Sequence, residues 1–188
     1  RLQLSKEIPV ILFSPSRYLI YGSDRSILKE LDHHAVNEPV FNIFEELNKK
    51  YDFRVIVRPH PNDRADKYSS YLEDNEYISL YIDEDLSLYE AISVSDLVVA
   101  YNSTILIETV LSGKLAFPHN YDQSQPYHWP ELTRAPFIYS GNFKELEHNL
   151  ENELKEKKVK EFRTQNISKF YETGAVDRII NLIKSIEN

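Results

Sequence analysis

Apolar residues fall along this chain in short dense runs, separated by stretches in which they recur at helical spacing. The runs at residues 8–14, 53–57, 77–82, 97–100 and 114–117 are nearly continuous and of strand length, the pattern of strands covered on both faces. Between them, residues 40–51 place Val40, Phe41, Phe44 and Leu47 on one helical face. Residues 86–93 do the same with Leu88, Ala91 and Ile92, behind Asp85 as an N-cap. Residues 104–111 form a strongly apolar helix that Ser112-Gly113 would close. Residues 63–74 are polar and helix-compatible. Residues 16–37 are polar and irregular, with a short helix over 26–33. Residues 120–136 carry Pro126, Pro130 and Pro136 and read as a long loop. A sixth strand is expected at 137–139, then helices over 143–158 and 159–170 and an amphipathic one over 177–186. Strands alternating with helices predict an α/β fold: a Rossmann-like open parallel sheet of five or six strands with helices on both faces and right-handed crossovers. Residues 1–188 are expected to form one domain, with 143–188 as its closing helices.

Composition narrows the function. The chain has 188 residues and a formal net charge of −8, which argues against nucleic acid as a partner over any broad surface. It has no cysteine, so disulfide frameworks and thiolate metal sites are excluded. No metal site is expected, since adjacent His33 and His34 lack ligand spacing on one helical face. The chain has only four glycines, and neither a dinucleotide fingerprint nor a P-loop is present. There is no nucleophile elbow either. No apolar run approaches a membrane span, and residues 1–7 lead into a strand without a secretory leader, so a cytoplasmic protein is expected, free or peripheral at the inner face of the membrane. The chain begins at Arg1 and has no methionine, as a piece of something longer would.

Two predicted strands end in reactive residues. The run ending at Val57 passes into Arg58-Pro59-His60-Pro61, and the run ending at Ala100 into Tyr101-Asn102-Ser103-Thr104. Open α/β sheets bind ligands at such strand ends. Asn102, Ser103 and Thr104 stand before a helix, where unpaired amides and added hydroxyls suit an anion, although simple helix capping accounts for them equally. Glu108, one turn on, is placed to accept from a ribose diol, and its apolar neighbours predict that the carboxylate is buried. Two prolines fix the backbone around His60, whose imidazole can donate to phosphate or move a proton. Arg58 offers a planar charged fork. Ser14, Ser16 and Arg17 after the first strand, and Tyr89 after the third, are candidate cleft walls. Tyr127, His128 and Trp129 could stack a base or simply pack as a satellite cluster.

These residues carry a resemblance. The stretch 55–61, then Leu86-Ser87-Leu88-Tyr89-Glu90, Ser95-Asp96-Leu97-Val98-Val99, Asn102-Ser103-Thr104 with Glu108, and Gly113-Lys114 resemble the C-terminal donor domain of GT-B glycosyltransferases. The nearer likeness is to bacterial surface-polysaccharide enzymes: sialyl-, polysialyl- and Kdo transferases and polyol-phosphate transferases. The resemblance implies a nucleotide-activated sugar (CMP-, CDP- or UDP-linked) as substrate, for capsule, lipopolysaccharide or related glycan synthesis. It implies His60, Ser103 and Thr104 as donor-phosphate ligands with Arg58 assisting, His60 as catalytic residue, and no metal or other cofactor. It implies a glycan or lipid-linked acceptor, and an N-terminal acceptor domain that this chain does not contain, so that the fragment alone would transfer little. A CDP-polyol phosphotransferase, a sugar-nucleotide epimerase-like domain and a non-catalytic nucleotide-binding module are the alternatives.

Overall fold

The computed structural model describes residues 8–15, 19–21, 27–30, 33–61, 63–72, 75–81, 85–121, 127 and 129–156. The predicted helices over 159–170 and 177–186 lie outside these residues, as do Ser16, Arg17 and His128. Strands β1 (Val10–Ser14), β4 (Arg54–Val57), β5 (Ile78–Leu80), β6 (Leu97–Ala100) and β7 (Leu115–Pro118) form one sheet. Every neighbouring pair is parallel and the order is β5-β4-β1-β6-β7. The α/β, Rossmann-like prediction therefore holds. From β1 the chain first builds outward through β4 and β5, then returns to the other side of β1 with β6 and β7. That reversal is a topological switch point, which opens a crevice at the carboxyl ends of β1, β4 and β6.

The strands are largely apolar because both faces are covered; the exceptions are Ser14 and Arg54 at strand ends and Ser79 in the edge strand β5. Ile11, Phe13, Val55, Val57, Leu97, Val99 and Phe117 pack on one side with α1 (His33–Asn48) and α4 (Phe143–Glu156). Val10, Leu12, Ile56, Val98, Ala100 and Ala116 pack on the other with α2 (Leu88–Val94) and α3 (Ile105–Leu111). The alternation follows from the pleat, in which successive side chains point to opposite faces.

Several boundaries differ from the sequence reading. The helix expected over 26–33 is replaced by β3 (Ile27–Glu30), paired antiparallel with β2 (Leu19–Tyr21). Helix α1 begins at His33, ahead of Pro39 instead of after it. Val36, Val40, Ile43, Phe44 and Leu47 are buried along its inner side, and this continuous packing stripe outweighs the backbone bond lost at proline. The predicted helix at 63–74 is a 3-10 helix over Ala65–Tyr71. The cap of α2 is Ser87, not Asp85, because Ser87 and Glu90 form a reciprocal capping box. Helix α3 starts at Ile105, with no side-chain cap from Thr104. In place of a strand at 137–139 there is a single parallel bridge between His119 and Ser140, although Ile138 and Ser140 still donate to Ala116 and Pro118 as an edge strand would. The loop at 120–136 contains a 3-10 turn over Pro130–Thr133.

Candidate functional site

The carboxyl ends of β1, β4 and β6 open into a cleft of about 460 Å³. Strand β1 contributes Ser14; the segment after β4 contributes Arg58, His60 and Pro61; the start of α2 contributes Ser87 and Leu88; the segment after β6 contributes Ser103, Thr104 and Ile105. Sequence-distant strand ends are neighbours here because the parallel register sets Phe13 beside Val57 and Ser14 beside Ala100.

Arg58 forms the inner wall. It is only 6% exposed, and its Nε donates to the Leu86 carbonyl at 3.1 Å. Its amide continues the sheet by donating to the Phe13 carbonyl at 2.9 Å. Burial lowers the guanidinium pKa, an effect that the negative charge of Glu108 opposes. The arginine remains charged. His60 is exposed at the mouth, on a turn closed by the Asp63 amide donating to the His60 carbonyl at 2.7 Å.

Just before the opposite wall, formed by Ser103 and Thr104, Asn102 has a φ of 45°, a left-handed geometry that asparagine tolerates. Its amide donates to the Tyr127 hydroxyl at 2.9 Å, and its side-chain oxygen is buried without a hydrogen-bond partner among the described residues. Ser103 Oγ accepts weakly from the Ile105 amide at 3.4 Å. Among the described residues the amides of Ser103 and Thr104 and the Thr104 hydroxyl have no protein acceptor, so they are available to a ligand. The site therefore offers a fixed cation, an imidazole, two hydroxyls and two amides to one small volume. That donor-rich set suits an oxyanion.

Arg58, His60, Ser103, Thr104 and Ser14 thus line one cleft, as the sequence reading joined them. Asn102, Glu108 and Tyr89 do not line it. The wall expected of Tyr89 comes instead from Ser87 and Leu88, with Tyr89 itself 78% exposed. Glu108 is exposed, which corrects the expectation that its apolar neighbours bury it; the buried side of α3 is formed by Ile105, Leu106, Thr109 and Val110. Tyr127 packs edge-on to Tyr101 and Tyr139, with centroids 5.6 and 5.1 Å away, so it belongs to the core and not to a stacking platform.

Three residues have roles that the sequence reading did not assign. Ser87 lines the cleft, and its Ser-x-x-Glu spacing to Glu90 was a legible signal. Lys114 is a second: its ammonium donates to the carbonyls of Ile92 at 2.6 Å, Ser93 at 2.5 Å and Ser95, closing the end of α2. The third is His119, 1% exposed at the end of β7 between Tyr101 and Phe143. Burial pushes its imidazole down to about 3, and its Nδ1 has no partner among the described residues. Among the described residues no cluster of histidine, aspartate and glutamate could hold a metal ion, and no helix is long and apolar enough to cross a membrane.

No family model and no curated protein matches the chain. Solved structures do. A candidate UDP-N-acetylglucosamine 2-epimerase from Listeria monocytogenes superposes with a TM-score of 0.70 at 17% identity, over 97% of this chain and 46% of its own. The S. aureus MnaA structure with UDP gives 0.66 at 16% identity, over 97% and 47%. A variant of the wall teichoic acid polymerase TagF soaked with CDPG gives 0.57 at 13% identity, over 98% and 42%. The likeness is one of fold: the parallel sheet has the Rossmann-like form of GT-B proteins, in neighbours that include an epimerase and a polymerase of the cell wall. The chain spans a little under half the length of these structures.

Proposed function

We propose that this chain is the donor-binding half of a glycosyltransferase that uses a nucleotide-activated sugar in bacterial surface-glycan synthesis. One observation carries the reading. Two strand ends far apart in sequence bring Arg58, His60, Ser103 and Thr104 into one cleft at the switch point of a parallel sheet. In this reading the donor phosphate sits between the two walls. As the bond from phosphate oxygen to the sugar breaks, negative charge grows on that oxygen. In this reading the Arg58 fork, the His60 imidazole and the Ser103-Thr104 hydroxyls and amides, which line that volume, stabilise the charge with protein donors alone. Glu108, near enough for its charge to act on Arg58, receives the ribose hydroxyls. The acceptor, a glycan or lipid-linked chain, and the base that activates it come from a second domain of the same enzyme. The length of the matched structures supports that division.

Calorimetry with CMP, CDP and UDP tests this reading. Binding of CMP supports transfer of a sialic acid or Kdo, CDP a polyol-phosphate donor, UDP a hexose donor or epimerase chemistry. His60→Ala should weaken nucleotide binding by about 1.5–3 kcal/mol, the scale of a hydrogen bond to a charged group. Ser103→Ala should cost about 0.5–1.5 kcal/mol, since the amides remain. Glu108→Gln should weaken nucleotides and spare pyrophosphate. Absence of binding to all three nucleotides, or an unchanged affinity in His60→Ala, would overturn the proposal and favour a scaffold module.

A further inference from the structure

Beyond His60 the chain makes a set of contacts that donor binding itself does not use. The Asp63 side chain is only 1% exposed, although Pro61 and Arg64 beside it are exposed and the turn lies at the surface. Its carboxylate accepts from the Tyr68 hydroxyl at 2.7 Å and from the Arg64 amide at 2.9 Å, and meets the Lys67 ammonium at 3.3 Å. Burial opposes its charge, but these three donors together hold the carboxyl below its ordinary range. Tyr68 is wholly buried and packs beside Phe41 of α1, with ring centroids 6.4 Å apart. A continuous link therefore runs from the core through the Tyr68 hydroxyl to the Asp63 carboxylate, and from the Asp63 amide to the His60 carbonyl.

A link of this kind answers a specific need. Pro59 and Pro61 fix their own φ, and Pro61 keeps His60 out of the helical region, but ψ at Pro59 and Pro61 stays free, so a turn held by proline alone can swing at the end of its strand. A carboxylate withdrawn from water is tolerated only where its hydrogen bonds are met, and here they are met in one position of the turn. Displacement of His60 matters, because a phosphate contact depends on the imidazole being in place before the ligand arrives, and a misplacement of about 1 Å is costly.

We infer that Asp63 and Tyr68 are positioning residues for His60, a carboxylate–phenol clamp that fixes the imidazole at the mouth of the cleft. The inference rests on the donor-binding reading, since it assigns His60 its task. Two variants test it: Tyr68→Phe removes one oxygen, and Asp63→Asn keeps the shape and removes the charge. Each is made with His60 present and in a His60→Ala background. CMP, CDP and UDP are titrated by calorimetry, with unfolding curves to establish that each protein is folded. With His60 present, either variant should weaken nucleotide binding roughly three- to tenfold. In His60→Ala the same variants should change it by less than about 1.5-fold, because no imidazole remains to misplace. An equal loss in both backgrounds, or no loss in either, overturns the clamp while leaving the donor site standing. Failure of the wild type to bind any nucleotide, or indifference to His60→Ala, overturns both. If Tyr68→Phe does not fold, Asp63→Asn decides.

Discussion

His119 should make the stability of this protein depend on pH from neutrality down into the acid range, beginning above the range in which carboxylates ordinarily titrate. In the unfolded chain its imidazole takes up a proton near 6.5; in the folded protein burial holds it neutral down to about 3. Between those values the unfolded state binds more protons, so acid favours unfolding. The stability is fully present above pH 6.5, declines as pH falls, and its loss is complete only where the folded ring protonates, near 3. Each pH unit inside the window corresponds to about 1.4 kcal/mol, so moving from pH 7.5 to pH 5 should remove roughly 2 kcal/mol. Asp63, with its carboxyl below an ordinary 3.8, adds its own loss only at lower pH. The measurement is urea unfolding of the wild type and His119→Leu at pH 7.5, 6.5, 5.5 and 5. Leucine nearly matches histidine in volume, and any constant packing change cancels from the slope. The wild type should lose about 2 kcal/mol more than the variant over that range. Parallel pH profiles would show that His119 is protonated in the fold and would refute the reasoning.

Two further outcomes follow from contacts around the cleft. Lys114→Met should lower stability by about 1.5–3 kcal/mol in urea unfolding, because three carbonyls at the end of α2 lose a charged donor. Arg58→Lys keeps the charge but loses the Nε–H to Leu86; it should cost about 1 kcal/mol in the same assay and weaken nucleotide binding about tenfold by calorimetry.

The sheet was legible because its strands are covered on both faces and so form nearly continuous apolar runs, with polar residues where the chain emerges. The hairpin was not: Leu19 to Tyr21 and Ile27 to Glu30 are three and four residues long, too short for a period to register. The helix was expected over residues 40–51 and begins at His33, because the sequence does not display the packing that carries it through Pro39. At the site, the strand ends announced themselves through Arg58-Pro59-His60 and Ser103-Thr104, but their partners did not. Leu86 meets Arg58 through a backbone carbonyl, which any residue carries. Glu108 was misjudged by counting sequence neighbours. Steps of four and three along the helix put Thr104, Glu108 and Leu111 on one side, and all three are exposed. Thr109, though polar, is buried because its hydroxyl donates to the Ile105 carbonyl at 2.6 Å.

The resemblance read from the sequence ended on Gly113-Lys114, a pair far from the cleft along the chain, and the fold gives that pair a mechanical reason. Helices α2 and α3 both begin at the cleft and run away from it for seven residues each. At that length each is a rigid rod of about 10 Å, so whatever fixes its far end also fixes the end that meets the ligand. Gly113 has a φ of 76°, a backbone position closed to most side chains, and it turns the chain sharply off α3. That turn delivers Lys114 to the last carbonyls of α2. One charged group thereby ties the far end of α2 to the far end of α3. That tie lies at the far ends of the helices from Ser87 and Leu88 on one and from Ser103 and Thr104 before the other. A lysine that an anion-binding reading would draw toward phosphate is instead committed to backbone oxygen, and the fixed positive charge that lines the cleft is that of Arg58.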